Sequence, residues 1–428
     1  MHSAKIMKPV SIISHCHNDC SIIVFTFCLI FAGNMPLPKS LSPLESIPFR
    51  KFIVCRFFLI MGLRMVSTVV GYKLFQLTQS SFAIGLVGLS EFVPAFCLSL
   101  YAGHRIDQSD KRTLLLRGIL LYAVCVIALV VLTNSGTEQA LTGTKIQYLY
   151  YAVIFVTGVI RAFVGPTSSA IVAQLIPRER LQFAANITSS SWLSASILGH
   201  ASGGFFIAWF GVHQTFYIIL AYVIIAAGSI SLVQRLPVVN KNPNAKALAS
   251  VKEGLSYVLN HKILLGAISL DLFAVLFGGA VALIPEVAHT ILEVGPVGFG
   301  WLNAATDLGA VISITLMTFF PMRKKQGKRL LIAVGGFGVC IIAFGLSDIY
   351  WISFFVLMLA GMLDGVSMII RGTIFQLTTP DHMRGRVSSV NSMFINSSNE
   401  LGMFESGFTS RIMGAAPSIV FGGCMTII

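Results

Sequence analysis

Apolar runs of about twenty residues recur along this chain with short polar connections between them, and that rhythm limits what the chain can fold into. They lie at 52–75, 83–103, 113–133, 148–175, 184–208, 215–234, 263–288, 298–321, 329–346, 350–376 and 387–410, with a twelfth opening near Pro417. A helix of about 20 apolar residues crosses a hydrocarbon core about 30 Å thick. A chain that is 55% hydrophobic and 11% charged, with a mean hydropathy of +0.82, stands far from the roughly 25% charged residues of a soluble domain. Lipid offers backbone groups no water to bond, so each run is expected to be α-helical. The fold class predicted is an all-α membrane protein.

Lysine and arginine give the orientation. The connections after spans two, four, six, eight and ten hold Arg105, Lys111, Arg112, Arg178, Arg180, Arg235, Lys241, Lys246, Lys252, Lys262, Arg323, Lys324, Lys325, Lys328, Arg329, Arg384 and Arg386, while the opposite connections hold Lys145 and Arg411. Basic residues are retained on the cytoplasmic side, which places the even-numbered connections and the N-terminus there, in a cell (inner) membrane. The net charge of +13 is then a topology signal and calls for no nucleic-acid partner.

The longest connection, 237–262, carries Pro237, Asn240, Asn242, Pro243 and Asn244 and then an amphipathic stretch from Ala247 to Leu259. It separates an N-terminal six-helix bundle, 49–236, from a C-terminal bundle, 263–428. Pro177-Arg178-Glu179-Arg180 after span four is echoed by Pro380-Asp381-His382-Met383-Arg384-Gly385-Arg386 after span ten, and Asn186 and Asn391 follow a little further on. Two copies of a six-span unit are the arrangement of carriers that rock two bundles about a central site.

The decapeptide Gly103-His104-Arg105-Ile106-Asp107-Gln108-Ser109-Asp110-Lys111-Arg112 turns the chain between spans two and three. Asp107 closes a helix whose dipole disfavours a carboxylate there, so it calls for a positive partner. This hairpin resembles the signature between helices two and three of the major facilitator superfamily. Phe49 to Leu132, Leu377 to Asn391 and Ser398 to Gly407 are similar to its bacterial efflux branch, the one containing the enterobactin exporter. The resemblance implies twelve helices in two pseudo-symmetric halves and alternating access, commonly driven by proton exchange. It implies a conformational gate in which Gly103 allows close packing, Asp107 is the gating carboxylate, Lys111 and Arg112 are its cationic companions and Glu179 is their partner. The second half departs from the pattern, with Lys324 opposite Asp107.

Ionisable groups within spans cost several kcal/mol and face a cavity or a partner. Arg64, Arg161, Asp307, Asp364, Arg371, Glu400 and Glu405 are the candidates for cavity lining or proton coupling, and Arg161 resembles the arginine that many superfamily members carry in helix four. Asp364 and Arg371 share a helix face two turns apart. Glu400 and Asp364 are the leading proton-coupling candidates, with Arg64 or Arg161 as Glu400's cation. Glu91, Asp271 and Glu286 read as nearer span ends. The other reading of each carboxylate is a structural ion pair. Tyr72, Gln76, Trp192, Trp301, Asn303, Asn396 and Asn399 are candidate pocket residues, with packing as the alternative. Gly199 to Gly204 and Gly278-Gly279-Ala280 allow close helix approach.

No Gly-rich stretch has the lysine and strand context of a nucleotide loop, and no catalytic constellation emerges, so neither a cofactor nor an enzyme is expected. Cys55, Cys97, Cys125, Cys340 and Cys424 lie in apolar segments and are expected to be buried. His15-Cys16-His17 with Cys20 lacks the second pair of a metal site. Residues 1–48 read as a poorly ordered extension, with Met35 a candidate start, and Pro417 to Ile428 is short for a crossing, so helix twelve reads as truncated. The expected function is monomeric secondary transport of a small organic solute, such as a siderophore, drug or metabolite, out of the cell against protons, in direct contact with the lipid bilayer. The alternative is a transport-inactive remnant or membrane scaffold.

Overall fold

The computed structural model describes residues 39–237, 247–319, 326–380 and 383–428, and every regular element among them is helical. The spans are α1 (Ile47–Thr78), α2 (Ser81–Asp107), α3 (Lys111–Leu132), α4 (Gly143–Leu175), α5 and α6 within one continuous helix (Leu181–Ser231), α7 (Lys262–Gly278), α8 (Pro296–Phe319), α9 (Gln326–Gly345), α10 (Tyr350–Thr378), α11 (Arg384–Met413) and α12 (Ala415–Ile427). Nine helical stretches among the described residues are long and apolar enough to cross a membrane, one of them holding α5 and α6 together, and Ala415–Ile427 is a shorter apolar helix. The oily segment Ser21 to Gly33, the His15–Cys20 cluster and Lys324 lie outside the described residues.

Helix ends follow local chemistry. Pro48 in the first turn of α1 gives up an N–H that has no partner there in any case. Gln79 ends that helix in the left-handed region, φ 49°, its N–H donating to the Phe75 carbonyl. The expected gap between spans five and six is a single kinked residue, Gly211 (φ 82°, ψ 170°), and Gly414 (φ 88°, ψ 167°) joins α11 to α12 in the same way. Such positive φ values suit glycine. Beyond Gly278, α7 continues irregularly through a 3-10 turn (Ala280–Leu283), a single turn (Ile284–Glu286) and a π turn (Val287–Ile291).

Gly211 and Gly414 are 203 residues apart, as are Pro177 and Pro380, Gly158 and Gly361, and Gly204 and Gly407. The members of each glycine pair make equivalent contacts. A Cβ on Gly158 would strike the Glu91 carbonyl of α2, and one on Gly361 would strike the Thr306 carbonyl of α8. A Cβ on Gly407 would lie 3.0 Å from Gly85 Cα, and one on Gly300 would lie 2.9 Å from Gly204 Cα. Gly85 and Gly300 are each the fifth residue of their helices. The molecule is thus two pseudo-symmetric six-helix halves, joined where α2 crosses α11 and α5 crosses α8 through glycine contacts. One large apolar core runs through the first half from Leu44 to Val233, and another through the second from Ala280 to Ile419.

The linker helix (Ala247–Asn260) lies at the same end as the α2–α3 hairpin, called here the linker end. Its Tyr257 hydroxyl donates to the Thr378 carbonyl of α10 at 2.7 Å, and Val258 is buried with Met383, Val387 and Val390 of the α10–α11 connection and α11.

Candidate functional site

Arg161 lies in α4 and meets carboxylates from two other helices. Its Nη1 stands 2.5 Å from Glu400 Oε1 of α11 and 3.0 Å from Glu91 Oε1 of α2. The pair with Glu400 therefore joins the two halves. The Glu400 side chain is 10% exposed, whereas Arg161 keeps 41%, so the guanidinium stays partly accessible while the carboxylate is enclosed. Glycines create the fit: Gly88 of α2 lies against the Glu400 carbonyl, and Gly158 of α4 against that of Glu91.

Arg64 of α1 lies over the Trp192 ring of α5, 5.0 Å from its centroid. Asp307 of α8 accepts from Ser196 Oγ of α5 at 2.5 Å, a second polar link between the halves. One turn along α5, buried His200 shares a 2.7 Å hydrogen bond with Thr68 of α1. Arg371 of α10 is ion-paired with Asp271 of α7, and its other terminal nitrogen is 3.6 Å from Asp364 Oδ1. Asp364 is therefore the looser partner, its side chain 48% exposed in mid-helix. Glu405 accepts from the neighbouring Ser406 at 3.5 Å and has no cationic partner among the described residues.

Glu91 and Asp271 sit deeper than their sequence positions suggest. Glu91 is the eleventh residue of the 27-residue α2, and Asp271 is buried within α7. Arg56, in the third turn of α1, is missed by the sequence reading although it lies within the 52–75 run, where an ionisable group is itself the signal; its Nε is buried without a hydrogen-bond partner among the described residues. Of the pocket candidates, Asn396 and Asn399 are exposed within α11, Tyr72 packs on Phe299 across the halves, and Trp301 packs among Phe205 and Phe354. Cys97 and Cys424 are exposed rather than buried, because they lie on the outer faces of their helices; Cys55, Cys125 and Cys340 are buried.

At the hairpin, Gly103 is exposed, with nothing within 4 Å of a Cβ built on it, so it is not at a close packing contact here. Asp107 is the last residue of α2, and its side chain lies outside those described. Lys111 is buried at the start of α3. Arg112 does not pair with Glu179, which is exposed on the α4–α5 connection. Its guanidinium instead donates to the carbonyls of Ile230, Ser231 and Val233, which end α6. A cation there satisfies carbonyls that the helix leaves free. Asp110, which the hairpin pattern does not single out, is the N-cap of α3: it accepts from Arg112 N–H at 3.1 Å, Thr113 Oγ1 at 2.5 Å and Leu236 N–H at 3.1 Å. Burial pushes its carboxyl up, but these hydrogen bonds outweigh burial and hold it below the usual carboxylate range.

Two halves with an ion pair and a second polar link between them, and ionisable groups in mid-helix, are the parts of a carrier. A family model described as transmembrane secretion effector matches residues 38–428. The chain belongs to that family, within the major facilitator superfamily. It is 23% identical over 376 residues to an uncharacterised MFS-type transporter of Bacillus subtilis, YfiS, covering 85% of this chain and 86% of that one. It is 24% identical over 357 residues to the enterobactin exporter EntS of Shigella flexneri, covering 82% of each. Among solved structures, a mutant form of the nucleoside transporter NupG superposes with a TM-score of 0.70 at 12% identity, covering 89% of this chain and 97% of that one, a likeness of fold. The protein is therefore a multi-pass membrane transporter.

The triad and the cap can each be tested by substitution. Arg161→Ala leaves two carboxylates facing each other in the bundle; breaking a buried pair costs about 3–5 kcal/mol, and the exposure of Arg161 puts the expected loss at the lower end, about 3 kcal/mol. Thermal unfolding in detergent should show that loss largely recovered on adding Glu91→Gln, whereas an additive double variant contradicts the triad. Asp110→Ala removes the cap and should cost about 1 kcal/mol. Because the Asp110 carboxyl is held low in the folded state, that difference is present above the ordinary carboxylate pKa and is lost as pH falls through the depressed value. Unfolding midpoints of variant and parent should converge only in acid; a gap unchanged at low pH contradicts the assignment.

Proposed function

We propose that this protein exports a small organic solute, a siderophore, drug or metabolite, in exchange for protons, working as a monomer by alternating access. The observation that carries the reading is the Arg161–Glu400 pair, which joins the halves through an enclosed carboxylate. Protonating Glu400 removes its share of the attraction, returns Arg161 to Glu91 and releases one tie between α4 and α11. Asp364, loosely held by Arg371, is a second carboxylate able to take a proton, and Arg64, Asp307 and Glu405 line the path. Residues 49–236 and 263–428 act as the rocking halves, with 237–262 as linker.

The density of lysine and arginine at the linker end supports a cytoplasmic placement for it in the inner membrane of a bacterium. The hairpin group Gly103, Asp107, Lys111, Arg112 and Glu179 then gates the cytoplasmic mouth. Outward transport is supported by the description of the family and by EntS, whose printed name is that of an exporter.

Everted membrane vesicles test this. With an imposed proton gradient they should accumulate at least one member of a panel of fluorescent drugs and catecholate siderophores, accumulation should collapse with an uncoupler, and Glu400→Gln should fall to the uncoupled level. Accumulation that ignores the gradient, or a Glu400→Gln carrier with unchanged gradient dependence, overturns the coupling.

A further inference from the structure

We infer that Glu286 is a latch that holds the end of the carrier opposite the linker closed, and that the hydrogen bond it accepts from Ser81 is the element that must break for that end to open. The inference rests on the alternating-access reading above.

Glu286 stands on the irregular continuation of α7, between the single turn Ile284–Glu286 and the π turn Val287–Ile291. Backbone of this kind is less constrained than an uninterrupted α-helix, and π turns cluster at functional sites. The carboxylate oxygen Oε2 accepts from two hydroxyls, Ser81 Oγ at the start of α2 and Ser410 Oγ of α11 at 3.3 Å. Ser410 belongs to the same half as Glu286. Ser81 belongs to the other, so its bond lies across the interface that rocking must separate. Hydrogen bonds to a charged acceptor are roughly twice as strong as neutral ones, and Ser81 is buried.

The surroundings suit a seam that closes tightly and parts cleanly. Next to the latch, α2 meets α11 through Gly85 and Gly407, where a Cβ on Gly85 would lie 2.9 Å from the Met403 carbonyl. Pro285, beside Glu286, lies 3.9 Å from the Cβ position of Gly71 in α1. Phe75 of α1 meets the His289 ring, centroids 5.6 Å apart, and Arg411 of α11 lies over the Phe82 ring of α2 at 5.0 Å. Apolar and glycine surfaces of this kind have no fixed partner geometry, whereas an acceptor shared by two hydroxyls does. The charged hydrogen bond across the seam therefore sets the register in which the other surfaces meet.

The test is a pair of spin-label distances in nanodiscs, with the eight native cysteines replaced by serine or alanine. Labels at Ser135→Cys and Asp348→Cys report the far end, and labels at Ser109→Cys and Leu377→Cys report the linker end. Glu286→Ala should raise the far-end-open fraction about tenfold, as expected when a charge-assisted bond between two states is lost. Ser81→Ala should shift it in the same direction, and Ser410→Ala, confined to one half, should leave it unchanged. Gly85→Trp is a wedge at the α2–α11 crossing that forces the far end apart in any rocking carrier. If the wedge lengthens the far-end distance and shortens the linker-end one while Glu286→Ala and Ser81→Ala do neither, the latch is wrong and alternating access stands. Equal shifts from Ser410→Ala and Ser81→Ala also overturn it. If the wedge moves neither distance, the reading on which the latch rests fails with it.

Discussion

A guanidinium in the middle of a bilayer is tolerable only when carboxylates or water meet it, and in this protein that requirement falls on Arg161. Its two acids come from different halves, Glu91 from α2 and Glu400 from α11. The glycines at positions 88 and 158 exist in the same frame, because without them the backbones carrying those acids could not come so close to their neighbours. The spacing of α2, α4 and α11 and the charges placed on them therefore converge on one cation. An interaction that spans a moving interface and can be weakened by a single proton is also what a coupled carrier needs.

The pseudo-symmetry shows how such a site can arise from a duplication. Arg161 and Asp364 occupy the same position 203 residues apart, one cationic and one acidic, each three residues after the glycine that packs α4 on α2 or α10 on α8. The scaffold glycines are kept in both halves, while the charges at the corresponding position have diverged. In the first half the cation bridges the interface. In the second, Arg371 two turns along α10 is taken by Asp271, which leaves Asp364 half exposed.

Much of this is legible in the sequence. Hydropathy places most of the helices to within a few residues, since lipid permits few alternatives, although α11 is too polar to stand out by hydropathy, and the Pro177 and Pro380 echo marks the duplication. Glu400 has two possible cations by sequence, Arg64 and Arg161, and Arg161 is the one that pairs with it. Depth is less legible. Glu91 and Asp271 read as nearer span ends, but each is taken by an arginine of another helix, Arg161 and Arg371, and those pairings depend on how the helices pack. The hairpin misleads in a different way. Its charges suggest pairing with Glu179, yet Arg112 and Asp110 satisfy backbone groups at helix ends, which no pattern of side chains announces. The connection of Glu286 to Ser81 bridges 205 positions and depends on how the halves meet.

If the Arg161–Glu400 pair couples protons to movement, carriage and coupling must be separable. The most direct measurement is solute counterflow in proteoliposomes with no proton gradient, comparing Glu400→Gln with the parent for a solute the parent transports. The account predicts exchange at the parental rate in the variant although gradient-driven accumulation is lost. A folded variant that still accumulates solute against its gradient when a proton gradient is imposed would contradict it.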